Sequence, residues 1–176
     1  GFDCLGMALD IWNTVEVTRG SDQVVVRGEG KDELPADRTN LVHAGFKLPF
    51  VERGEPVPDV TITCDNEIPV GRGLGSSSAA IAAGLLAGNA MCSAPLTPDE
   101  ILESGVHIEG HPDNVAASLL GGCQIVVNED GRTITTTIPM PAEWNCVVFV
   151  PDIPMPTEEA RSLLAPDVRR QDAVDN

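Results

Sequence analysis

The sequence predicts an α+β fold, and three observations predict it. Strand-like and helix-like stretches are mixed without strict strand–helix alternation, which argues against a doubly wound parallel sheet. A long run of small apolar residues follows a glycine-serine loop, as in a buried helix entered through a sharp turn. A helix-start pattern and several short β-branched runs complete the second half. At 176 residues, with 42% hydrophobic and 22% charged, the chain has room for one core and part of a second domain.

The elements follow in order. Met7 to Thr18 (MALDIWNTVEVT) alternates apolar and polar residues as a strand does, and Gln23 to Arg27 reads as its hairpin partner. From Asn40 to Val51 the spacing is helical, with Leu41, Ala44, Gly45 and Leu48 on one face. Asp59 to Cys64 is a short strand that leads straight into the loop PVGRGLGSSSAA, residues 69–80. The run Gly75 to Met91 is apolar on nearly every side and predicts a buried helix. Thr97-Pro98-Asp99-Glu100 is a capping box with proline at the first helical position, so a helix starts there. Another helix is expected from Pro112 to Leu120, stopped by Gly121-Gly122. Strands are expected at Cys123–Val127, Thr133–Ile138 and Cys146–Val150, and a helical tail from Thr157, interrupted at Pro166.

Bulk charge excludes one class of partner. A net charge of −16 opposes general nucleic-acid binding, which needs a basic patch to displace counterions. No apolar run reaches the roughly 18 residues of a membrane span, and no basic-then-apolar leader is visible, so a cytoplasmic protein without membrane contact is expected. Cys4, Cys64, Cys92, Cys123 and Cys146 are widely spaced with no CxxC pair, which reads as buried reduced thiols.

The glycine-serine loop carries the chemistry. A loop turning sharply into a helix leaves the first N–H groups of that helix unpartnered, beside the positive end of its dipole. That is a ready anion site, and Gly71, Gly73 and Gly75 let the backbone come close to a phosphate. Ser76, Ser77 and Ser78 add hydroxyls for phosphate oxygens or a hydrated Mg²⁺. Known nucleotide loops do not fit. No lysine follows Lys47, which excludes a Walker loop, and Gly71-Arg72-Gly73-Leu74-Gly75 lacks the Rossmann spacing. A G-x-S-x-G nucleophile elbow is absent too. Taken alone, the loop is either a phosphate site or a tight structural turn. His107 and His111 stand at i, i+4, but Gly110 and Pro112 break the helix that a zinc pair would need.

PVGRGLGSSSAA resembles the P-x-x-x-G-L-G-S-S-[AS]-A signature of the GHMP kinases, in which the loop wraps the ATP phosphates at a helix N-terminus. The resemblance implies ATP contacts from Pro69, Gly71, Arg72, Gly73, Leu74, Gly75, Ser76, Ser77 and Ser78, with Arg72 at a variable position of the pattern. Further stretches are similar to the homoserine-kinase branch: GFDCLG at residues 1–6, EGHPDNVA at 109–116 and PTEEAR at 156–161. By that resemblance Asp3, His111, Asn114, Thr157 and Arg161 belong to the substrate site, Asn114 next to the reacting hydroxyl. A carboxylate suits an ammonium group and a guanidinium fork suits a carboxylate, as an amino-acid substrate requires. Taken plainly, HPDN is an ordinary helix entry and Asp113 a capping residue.

Glu103 lies eight residues before His111, where the family places its magnesium glutamate, so Ser77 and Glu103 are the expected metal ligands. What is implied is ATP- and Mg²⁺-dependent phosphorylation of the side-chain hydroxyl of L-homoserine, a step of threonine biosynthesis. Without a lysine in the expected motif, transfer is direct, with no dedicated base. The alternatives are another GHMP small-molecule kinase, mevalonate-like in substrate, or a non-catalytic S5-like binding module. The implied architecture is a GHMP N-terminal ATP-binding domain over residues 1–150, ribosomal S5 domain 2-like and lacking its first strand. Residues 151–176 would open a ferredoxin-like C-terminal domain, making the chain a truncated part, inactive by itself, of a possible homodimer.

Overall fold

A computed structural model describes residues 4–141, 143–150 and 167 of the chain. Six strands and four helices are arranged as β1 (Cys4–Met7), β2 (Asn13–Arg19), β3 (Gln23–Gly28), α1 (Leu41–Glu52), β4 (Val60–Asn66), α2 (Ser76–Met91), α3 (Pro98–Glu109), α4 (Asp113–Leu120), β5 (Cys123–Glu129) and β6 (Arg132–Ile138). They form two separate three-stranded sheets, ordered β2-β4-β3 and β1-β5-β6.

The expected long first strand is two strands in two sheets. Cys4–Met7 pairs antiparallel with β5, whereas Asn13–Arg19 pairs antiparallel with β4. The expected hairpin between β2 and β3 is also corrected, because β4 lies between them. β3 runs parallel to β4, with α1 as the crossover that a parallel pair requires. Local alternation marks a strand but carries no information about its partner, and here the partner is more than thirty residues downstream.

Helix ends follow the expected chemistry. Asn40 caps α1, its side-chain oxygen accepting from Val42 N–H at 3.0 Å. In α3 the Thr97/Glu100 capping box is reciprocal: Thr97 Oγ1 accepts from Glu100 N–H and the Glu100 carboxylate from Thr97 N–H. Glu100 also receives Arg53 at 2.8 Å, and Arg53 donates to the Ala94 carbonyl, which staples the end of α1 to the start of α3. The Thr97 backbone bond, then the Arg53 bond, holds the Glu100 carboxyl down at about 2.

Packing centres on α2, which touches α1, α3, α4 and β2. Val24, Val60, Ile62 and Cys64 of the first sheet pack under Val42, Phe46 and Phe50 of α1. Ile81 and Leu85 of α2 meet Leu96 and Ile101, and Leu102 of α3 meets Val115, Ala116 and Val126. α1 and α2 run parallel with their backbones nearly touching. A Cβ on Gly84 would lie 2.0 Å from the Val42 carbonyl oxygen, and one on Gly88 would lie 2.1 Å from that of Phe46. α2 is not buried all round, however, since Leu86 is 49% exposed. Nor is Cys146–Val150 a strand: no ladder partner reaches it among the described residues, and Phe149 is 95% exposed. Cys64, Cys92 and Cys123 are buried thiols as expected, whereas Cys146 is exposed.

Two outcomes follow. Gly84→Ala drives a methyl into the α1 backbone and should lower unfolding free energy by about 2–3 kcal/mol in urea denaturation. Because the folded pKa of Glu100 lies below its ordinary value of 4.5, its stabilisation is complete above that pH and is lost as pH falls toward about 2. The stability difference between the protein and Glu100→Gln should therefore shrink steadily across that interval in acid titration.

Candidate active site

β4 ends at Asn66, and residues 67–75 turn the chain back into α2. Gly71, Gly73 and Gly75 have φ of 67°, 74° and 73°, the left-handed region in which a side chain is strained by about 1–2 kcal/mol. Gly75 is also the α2 N-cap, without a capping side chain, so the helix start presents its N–H groups to whatever lies in front. At this alternation of handedness the backbone can form a concave anion-binding surface.

In front of it is a cavity of about 630 Å³. One side is the loop from Pro69 to Ser77, and the other is apolar, with Val15, Val26, Leu34 and Pro35. The start of α1, from Thr39 to Val42, closes the end. Two parallel helices thus aim their N-termini at one volume. Cys64 lines it as well, but burial pushes its thiol up to about 11, so it is an inert wall rather than a nucleophile.

A second cavity of about 350 Å³ lies across the loop, walled by Met7, Leu9, Trp12, Ala83 and Leu86. Asn13, Gly73, Leu74, Gly75 and Asn114 line both cavities. Asn114 stands at the shared boundary: a Cβ on Gly75 would be only 3.4 Å from its Cβ and Cγ. Its placement comes from α4, where it is the second residue, and Asp113 Oδ1 accepts both its N–H at 2.9 Å and a contact from His111 Nδ1 at 3.2 Å. His111 is thereby tied to the α4 start, though it lines neither cavity.

The expected metal ligands Ser77 and Glu103 are not brought together. Glu103 sits on the far side of α3, where its carboxylate accepts from Thr133 N–H at 2.6 Å and anchors β6. The carboxylate at the loop is Glu109, whose Oε1 accepts from Ser77 Oγ at 2.6 Å and from Ser78 Oγ at 2.8 Å. The two glutamates lie six positions apart, and α3 turns them to different faces. The signal available in the sequence was Glu109 inside EGHPDN itself, next to the glycine that ends α3. Asp3, Thr157 and Arg161, together with the helical tail expected from Thr157, lie outside the described residues. No group of three or more His, Cys, Asp or Glu side chains able to hold a metal occurs among the described residues.

Residues 40–122, which contain α1, the loop and α4, match the GHMP kinases N terminal domain. The chain carries the N-terminal domain of the GHMP kinases. Over its whole length it is 40% identical to the homoserine kinase of Desulfitobacterium hafniense, and it spans 60% of that relative. A solved Listeria monocytogenes protein has TM-score 0.75 at 27% identity, covering 97% of this chain and 57% of its own. The homoserine kinase structure from Cytophaga hutchinsonii has TM-score 0.73 at 24% identity, covering 92% of this chain and 54% of its own, and so supports the fold. No helix among the described residues is long and apolar enough to cross a membrane.

Proposed function

We propose that the protein phosphorylates the side-chain hydroxyl of L-homoserine with ATP. The observation that carries this reading is Asn114 standing between two cavities behind one glycine loop, in a chain 40% identical throughout to a homoserine kinase. The larger cavity would take the nucleotide, its base against Val15, Val26 and Leu34, its phosphates on the loop and the α2 start. Pro69, Gly71, Arg72, Gly73, Leu74, Gly75, Ser76 and Ser77 all line that volume, while Ser78 is fully buried behind it.

Phosphoryl transfer through a loose transition state needs alignment and charge neutralisation more than a strong base. Loop N–H groups supply fixed donors for charge on the transferring group. Asn114 would orient the acceptor hydroxyl toward it, and no dedicated base is required. His111, Asp3, Thr157 and Arg161 remain the proposed holders of the amino-acid end. Ser77 Oγ and Glu109 Oε1 are hard oxygen donors already 2.6 Å apart, a set that suits Mg²⁺. When bound there, the ion would neutralise phosphate charge. Ser77 and Glu109 would hold it, in place of the pair expected from spacing. The domain division after residue 150, with a ferredoxin-like C-terminal unit, belongs to the same proposal; the chain spans 60% of the relative's length.

The test is turnover of Mg·ATP by the full-length gene product with homoserine, mevalonate and galactose. Homoserine should be preferred, and inactivity on all three overturns the reading. Asn114→Ala should lower kcat at least about 100-fold with a smaller change in KM. Glu109→Gln should raise the Mg²⁺ concentration needed for half-maximal rate at least about tenfold, and Glu103→Gln should leave it unchanged. The reverse ranking would return the metal role to Glu103.

A further inference from the structure

Asn13 lines both cavities, yet no sequence signature marks it and it has no assigned role in the reaction. It opens β2 and pairs across the sheet with Asn66, the last residue of β4. Immediately beyond Asn66 the chain leaves the ladder, so Glu67 and Ile68 need other partners for their N–H groups. Asn13 Oδ1 accepts from both, at 3.0 Å and 3.1 Å, and the neighbouring Trp12 carbonyl accepts from Glu67 N–H as well, at 3.2 Å. One side-chain oxygen therefore fixes the two residues that precede Pro69, where the glycine loop begins. At the other end, α2 and the Glu109 bonds to Ser77 and Ser78 fix the loop exit.

Asn13 is also continuous with the wall of the smaller cavity. Ile11 and Trp12 precede it directly and line that volume with Met7 and Leu9. A shift of this segment moves the Asn13 carboxamide, and with it the loop entry.

We propose that Asn13 is a positioning residue. It couples the wall of the smaller cavity to the glycine loop, so that phosphates and acceptor meet at Asn114 in a fixed register. The inference rests on the kinase reading above. Its physical content is that Oδ1 is used only as an acceptor, so a carboxylate can replace the amide and an alkyl group cannot. Misplacement of reacting groups by about 1 Å is enough to slow a reaction about 100-fold, which makes rate rather than affinity the sensitive quantity.

The experiment compares Asn13→Ala and Asn13→Asp in the full-length gene product, by steady-state kinetics and by amide hydrogen exchange. Asn13→Ala should lower kcat at least about tenfold with KM for ATP changed less than about threefold. Asn13→Asp should restore kcat to within about threefold, while its added charge beside the phosphates raises KM for ATP. Exchange at Ile68 should accelerate at least about tenfold in Asn13→Ala, and less at Glu67, which keeps the Trp12 carbonyl, with the amides of β4 unchanged. An Asn13→Ala enzyme with wild-type kcat, or an Asn13→Asp enzyme as slow as Asn13→Ala, overturns the proposal. If Asn13→Ala does not fold, Asn13→Gln, which displaces the acceptor by one methylene, takes its place and should be slower than Asn13→Asp; equal rates overturn it. Absence of homoserine turnover in the unmodified protein is a failure of the kinase reading alone. The exchange measurement still decides the Asn13 hold, because unchanged exchange at Ile68 sinks it whatever the activity.

Discussion

The architecture of the site depends on the close parallel contact between α1 and α2. Gly84 and Gly88 of α2 lie against the Val42 and Phe46 carbonyls, and Gly45 of α1 lies against Ile81. Any side chain at these positions would push the helices apart. Because the helices are parallel as well as close, their N-termini arrive together, and Thr39–Val42 line the same cavity as Gly75, Ser76, Ser77 and Ala80. α2 then reaches α3 and α4 on its other sides, which brings Glu109 and Asn114 to the loop. Glycines that look like helix-weakening residues in the sequence are what allows this convergence.

The proposed anion site in a chain of net charge −16 is an electrostatic contradiction only at first sight. The donors are backbone N–H groups at a helix start, whose partial charges are local and independent of side-chain composition. Glu109 is the exception, a carboxylate hydrogen-bonded to Ser77 and Ser78 at the place assigned to phosphates. Carboxylate and phosphate repel one another unless a cation lies between them, so the proposed ion and the placement of Glu109 form one argument. Glu103, by contrast, is bonded to Thr133 and holds β6.

Much of the fold was legible in the sequence because helix signals are local. Asn40, the Thr97–Glu100 box and the glycines at 110 and 121 act within a turn of the ends they set. Strand signals are local only in part. Asn13–Arg19 reads as a strand from its own alternation, but that β4 rather than β3 lies beside it depends on a crossover through α1. Cys146–Val150 is an unbroken apolar run rich in valine and yet no strand, since β-branched residues make a ladder only where another strand stands next to them.

The site divides in the same way. By itself the sequence determined the glycine-serine loop, its three left-handed glycines and the helix behind it, together with the start of α4 that carries Asn114, because each rests on short-range backbone geometry. Only the tertiary structure decided which carboxylate faces the serines, since Glu103 and Glu109 lie six residues apart on one helix and α3 packing alone selects between them. It decided equally that Asn13 holds the loop entry from a strand more than fifty residues away. Hydrogen bonds between distant elements leave no periodicity and no motif in the chain, and so become visible only when the sheets and helices are in place.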